Sequence, residues 1–102
     1  MELIGKIEEI LEEKIRKDGD DIFSYQYFNL KVDDESQQII NIVIWAKMID
    51  LKNFIKGDKV RVEVTISSYQ NRGFWHTTVR ALRMEKICSI CNINELLVIN
   101  SN

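Results

Sequence analysis

Proline is absent from these 102 residues, histidine occurs once, cysteine twice and glycine only four times. Each shortage removes a class of explanation. With no proline, no internal repeat and no low-complexity stretch, nothing reads as a linker, and the length suits one domain with one modest core. The two cysteines form a lone C-x-x-C, Cys88 and Cys91. A structural zinc site would need two more soft ligands, and only His76 remains. A thioredoxin-type motif would need a βαβ setting that is missing. Two ordinary thiols in a reducing cytosol are the expectation. There is no glycine-rich phosphate loop, no metal-ligand cluster and no nucleophile elbow, so neither an enzyme nor a cofactor is expected. The longest apolar run, Ile42 to Ala46, is far too short to cross a bilayer. Met1 is followed at once by Glu2, which does not open a signal peptide. The expectation is a cytoplasmic protein with no membrane partner.

A large excess of base is also lacking. Net charge is -2, which argues against binding duplex DNA by bulk charge. The charge is uneven, however: residues 1–35 hold 11 acids and 5 bases, and residues 36–102 hold 5 acids and 9 bases. An anionic partner could still meet a basic surface.

What the chain does contain is β-branched and aromatic residues at period two. In Phe54-Ile-Lys-Gly-Asp-Lys-Val-Arg-Val-Glu-Val-Thr-Ile66, the residues Val60, Val62, Val64 and Ile66 share one face. Gly57 can take the positive φ that ends a helix, and Asp58 can hydrogen-bond its own backbone to fix the turn. Ile22–Val32 reads as a strand whose register switches: Phe23, Tyr25 and Tyr27 point one way, and Phe28, Leu30 and Val32 the other. Ile39–Trp45 is a near-continuous apolar strand. Met48–Ile55 reads as a short helix with Ile49, Leu51 and Phe54 inward. Phe74–Met84 alternates Trp75, Thr77, Val79 and Ala81 against Phe74, His76, Thr78, Arg80 and Leu82, which puts Trp75 in the core. Lys14–Asp21, Asp33–Gln38 and Tyr69–Gly73 are polar loops. Residues 2–13 are ambiguous, because Ile4, Ile7, Leu11 and Ile15 have helical spacing while Leu3, Gly5 and Ile7 alternate. Counted as a strand, they complete an all-β, five-stranded barrel with a helix between strands 3 and 4. That is the order of the oligonucleotide/oligosaccharide-binding (OB) fold. The barrel is expected over 1–86. An apolar tail of helical spacing (Ile90, Ile93, Leu97) over 87–102 is left for packing, oligomerisation or disorder.

Several short motifs occur together in order. They are Met1, Glu2, Gly5, Lys6 and Ile7; Gln26, Phe28 and Leu30; and Trp45, Ile49, Asp50 and Leu51, with Ala46 where a glycine is usual. Phe54, Gly57, Asp58, Val60 and Val62 follow, then Gly73, Trp75, Thr77, Val79, Arg80 and Ala81. In these the chain resembles a family of short bacterial OB-fold proteins of unassigned function, similar to single-stranded DNA-binding proteins. The resemblance covers about residues 1–86, and it implies that residues 2–13 are a strand. It also implies single-stranded nucleic acid, DNA or RNA, as the partner. The chain departs from the family at Asn71, Thr78 and Leu82, where a tyrosine, an acid and a tryptophan are usual.

Single strands are held by rings that stack on bases and by cations that track phosphates. Tyr25, Tyr27, Tyr69 and Phe74 are the expected stacking residues. Lys47, Arg61, Arg72 and Arg80 are the expected phosphate contacts, with Arg61 placed near Arg80 and His76 across the ladder. Binding is expected to show little sequence preference. The competing reading is an OB-fold protein-interaction module that forms a homodimer through its tail or an exposed strand. His76 reads as a surface side chain, and Glu8, Glu9, Glu12 and Glu13 as a solvated face.

Overall fold

The computed structural model describes residues 1–87; Cys88, Cys91 and the tail lie outside the described residues. Six strands account for most of them: β1 (Glu2–Ile10), β2 (Lys14–Asp18), β3 (Asp21–Val32), β4 (Ile39–Trp45), β5 (Lys59–Asn71) and β6 (Phe74–Lys86). They hydrogen-bond in the order β1-β5-β6-β4-β3-β2, and an additional β1–β3 pairing closes the sheet on itself. β1, β3, β4, β5 and β6 therefore form the expected five-stranded barrel. β2 is an addition to it.

The barrel's inner layer follows strand alternation. Ile7, Phe28, Leu30, Ile42, Ile44, Val60, Val62, Val64 and Ala81 are buried in one cluster, with Leu51 closing one end. Burial on this scale is what makes the barrel stable: truncating Phe28, which has no exposed surface, would cost ~3–5 kcal/mol.

β1 is a strand despite its helical spacing, because both its edges are occupied. Leu3, Ile4 and Gly5 pair with Val62, Arg61 and Val60 of β5, while Gly5, Lys6 and Ile7 pair with Val32, Lys31 and Leu30 of β3. A bulge between Ile7 and Glu9 bends the strand where it changes partners. Gly5 is buried where these strands cross, and a Cβ there would run into the Lys31 carbonyl and come within 3.0 Å of Val32 Cα.

Five expectations about the elements are corrected. Tyr69–Gly73 is not all loop: β5 runs on to Asn71 and pairs with β6 up to Phe74, so only Arg72 and Gly73 turn. Lys14–Asp21 is not a loop: Lys14–Asp18 pairs with β3, and Gly19 (φ 63) and Asp20 form the hairpin turn. β3 has no register switch, since Tyr25 through Lys31 pair with Trp45 through Ile39 without a shift. Only the apolar side of the strand changes, from odd to even positions. The helix between strands 3 and 4 is a single 3₁₀ turn, Leu51–Asn53, with Asp50 Oδ1 accepting the Lys52 N–H at 3.0 Å. Phe54 is already extended (φ -126, ψ 150), so the turn ends there. Trp75 is not in the core and is 70% exposed. It does share a face with Val79 and Ala81, but β4 meets β6 only at Arg80. From Val79 to Phe74, β6 pairs with β5 alone, so the hairpin projects past the barrel and Trp75 has no core to enter.

Candidate nucleic-acid interface

The outer surface of β3, β4 and β6 is built from residues that alternate away from the core. Tyr25 pairs with Trp45 of β4 on one side and with Lys14 of β2 on the other. One row further out, Phe23 pairs with Arg16. One row inward, Tyr27 pairs with Val43, Val43 with Arg80, and Arg80 with Thr65. Val43 is fully buried yet stands outside the core cluster, as a small residue covered by larger neighbours on the outer face would be.

The rings form one connected group. Trp45 lies 5.4 Å from Phe23 and 5.3 Å from Tyr25 (centroid to centroid), and Tyr25 meets Tyr27 edge-on at 6.0 Å. These separations and tilts are those of favourable aromatic pairs, so each ring holds its neighbour in place. All four remain partly solvent-exposed. A second group sits on the β5–β6 hairpin. Tyr69 stacks on His76 at 5.2 Å, and Phe74 is 72% exposed beside them. Arg72 and Gly73, both at positive φ, make the two-residue turn at the tip.

Charge on this surface differs from charge on the whole chain. Along the outward positions of β3 from Phe23 to Lys31, β4 throughout, β5 from Thr65 to Asn71 and β6 from Phe74 to Leu82, there is no Asp or Glu. The charged groups there are Lys31 and Arg80, and Lys14 and Arg16 adjoin them on β2. Lys47 follows β4 in a turn where Ala46 (φ 52) and Lys47 (φ 54) are both left-handed. Its ammonium lies 3.5 Å from Glu13, an exposed pair that contributes only ~0–1 kcal/mol.

Of the eight candidates read from the sequence, Tyr25, Tyr27 and Arg80 lie together on this face, with Lys47 at its edge. Tyr69, Phe74 and Arg72 lie together on the projecting hairpin. Arg61 stands apart. It pairs with Glu85 rather than facing Arg80, and its guanidinium binds Glu85 at 2.7 Å and Glu2 at 3.1 Å. The Glu85 hydrogen bond, then the Glu2 charge, raise its pKa further above the ordinary arginine value. Four neighbours were not among those candidates: Phe23, Trp45, Lys14 and Arg16. The Gly19-Asp20 pair between the short run Lys14–Asp18 and the aromatic strand that follows was the signal for the hairpin that brings the last two in.

No family model matches the chain, and no curated protein matches it. Solved structures do. The N-terminal domain of PriB from Thermoanaerobacter tencongensis, which is dimeric, aligns over 85% of this chain and 93% of its own at 24% identity and a TM-score of 0.63. The small single-stranded DNA-binding protein of Streptomyces coelicolor aligns over 88% of this chain and 94% of its own, at 10% identity and a TM-score of 0.50. This chain is an OB-fold. In OB-folds the face of the second and third barrel strands, with the loops joining strands 1 to 2 and 4 to 5, forms the binding surface. Here those parts are β3 and β4, the β2–β3 hairpin and the β5–β6 hairpin. No helix among the described residues is long and apolar enough to cross a membrane.

Proposed function

We propose that this chain is a cytoplasmic, non-enzymatic module that binds single-stranded DNA, with little sequence preference along most of its track. The observation that carries the reading is the outer face on which Phe23, Tyr25, Tyr27 and Trp45 lie between Lys14, Arg16 and Arg80, its acids Asp18 and Asp21 confined to the end of the β2–β3 hairpin. Bases stack on the rings, and phosphates pass over the cations of β2, Arg80 and Lys47. Tyr69, Phe74 and Arg72 on the hairpin engage the strand where it leaves the barrel. Arg61 serves the ion pairs that tie β1, β5 and β6 together. A net charge of -2 does not oppose this, because Coulomb energy over a Debye length of ~10 Å is set by local groups.

Fluorescence anisotropy with labelled oligo-dT at low and moderate salt tests the reading. Binding that weakens steeply with salt is expected. No binding at roughly 50 μM protein in low salt overturns it.

A homodimer is a second reading, favoured by one observation: Trp75 (70%) and Ile66 (50%) are exposed on the same face of the β5–β6 ribbon. Light scattering of the full chain decides it, and a monomer at about 100 μM removes it.

A further inference from the structure

A cavity of about 550 Å³ opens at one end of the barrel, between β3, the end of β4 and the 3₁₀ turn. Its apolar walls include Ile44, Ile49 and Leu51. Lys47 and Lys52 line it, as do Gln26, Asp50 and Glu13. Tyr25 lines it too, and the same residue is the ring that touches both Trp45 and Tyr27 on the outer face. Tyr25 is therefore shared by the cavity and the aromatic track.

We propose that this cavity takes one unstacked nucleobase of the bound strand and prefers a base bearing an exocyclic amine. The inference rests on the single-stranded DNA reading above and adds a point of selectivity to it. A nucleobase has two flat apolar faces and a polar edge, which suits apolar walls and a few polar groups. Its phosphate needs cations, and Lys47 and Lys52 are both in place. The Glu13 contact to Lys47, at 3.5 Å and exposed, is one a phosphate can displace.

The polar groups decide which base. One oxygen of Asp50 accepts the Lys52 N–H at 3.0 Å, which leaves the second carboxylate oxygen as an acceptor. Gln26 gives one amide N–H to the Leu11 carbonyl at 2.8 Å, which leaves its side-chain oxygen as an acceptor beside its second N–H. Acceptors of this kind pair with the amino groups of adenine, cytosine or guanine, whereas thymine offers no exocyclic donor.

The test is competition anisotropy on the full chain with four nonamers: all dT, and dT with a central dA, dC or abasic site. The dA and dC oligonucleotides are expected to bind about fivefold to tenfold tighter than all dT, as one or two net hydrogen bonds give. The abasic site is expected to bind more weakly than any of them. Ile49→Trp, which fills the cavity, is expected to bring the dA to dT affinity ratio below about twofold. Asp50→Asn keeps an oxygen to cap the 3₁₀ turn and removes the carboxylate, and should also lower that ratio. Equal affinity for all four nonamers overturns the cavity while leaving the single-strand reading intact, as does a ratio unchanged in both variants. Failure to bind any nonamer overturns both.

Discussion

Tyr25 and Trp45 stand directly opposite each other across the β3–β4 ladder, with ring centroids 5.3 Å apart and planes tilted by 38°. They are 20 residues apart in sequence, and the antiparallel register alone makes them one surface. Trp45→Ala and Tyr25→Ala are each expected to weaken oligo-dT binding by ~1–3 kcal/mol, roughly 5-fold to 150-fold. Because the rings touch, the double variant should lose less than the sum of the two singles. Anisotropy titrations with circular dichroism as a folding control give the numbers. Full affinity in both single variants would remove the face from the site.

Arg80 and Arg61 separate contact from scaffold. Arg80→Ala is expected to lower affinity and to reduce the slope of log K against log salt by about 0.7, the value for one phosphate on a single strand. Arg61→Ala should leave that slope unchanged and lower the melting temperature instead, because it removes the link between Glu2 and Glu85. A reduced slope in Arg61→Ala would reverse this assignment.

Gly5→Ala is expected to destabilise the barrel by more than ~2 kcal/mol, since the added methyl has backbone on its far side and nowhere to move. Urea denaturation measures it. A loss below ~0.5 kcal/mol would show that β1 and β3 can separate there without cost.

Ala46 points the other way. It holds a left-handed φ of 52° with a side chain that disfavours that region. Ala46→Gly should raise stability by ~0.5–1 kcal/mol, the strain relieved less the extra chain entropy of glycine. A fall in the urea midpoint would show that this turn carries no strain.

Asp34 titrates with folding. Its carboxylate accepts the Ser36 hydroxyl at 2.5 Å and the Ser36 and Gln37 backbone N–H groups, which lower its pKa from 3.8. A depressed folded pKa adds stability above the unfolded value that is lost as pH falls through the folded one. The advantage of the wild type over Asp34→Ala should therefore be full at about pH 6 and shrink below pH 3.8. An advantage independent of pH would mean that the loop, not the charge, is responsible.

Much of the barrel was legible in local pattern. Val60, Val62 and Val64 alternate inward as written, and Gly57 takes its positive φ of 95° before them. Asp58 accepts the Ile55 N–H at 2.9 Å and closes the turn. Phe28 is core, and Tyr25 and Tyr27 face away from it. These outcomes depend on period, turn chemistry and side-chain branching, which act between residues close in sequence. What lay beyond local pattern depended on how far each strand outruns its partners. The face of Trp75 could be read, but its exposure is set by β6 extending past β4. Arg61 could be placed on an outer face, but its partners come from strands 24 and 59 residues away. Lys14 and Arg16 joined the aromatic face only because β2 folds back on β3. The sequence by itself determined the strands with strong period-two alternation and which of their sides is apolar, since both are local preferences. It did not determine β1 or β2, which are strands because β3 and β5 pair with them. The tertiary structure alone decided which outward residues share a surface and which charges are already paired, because register and strand length are settled only when the barrel closes.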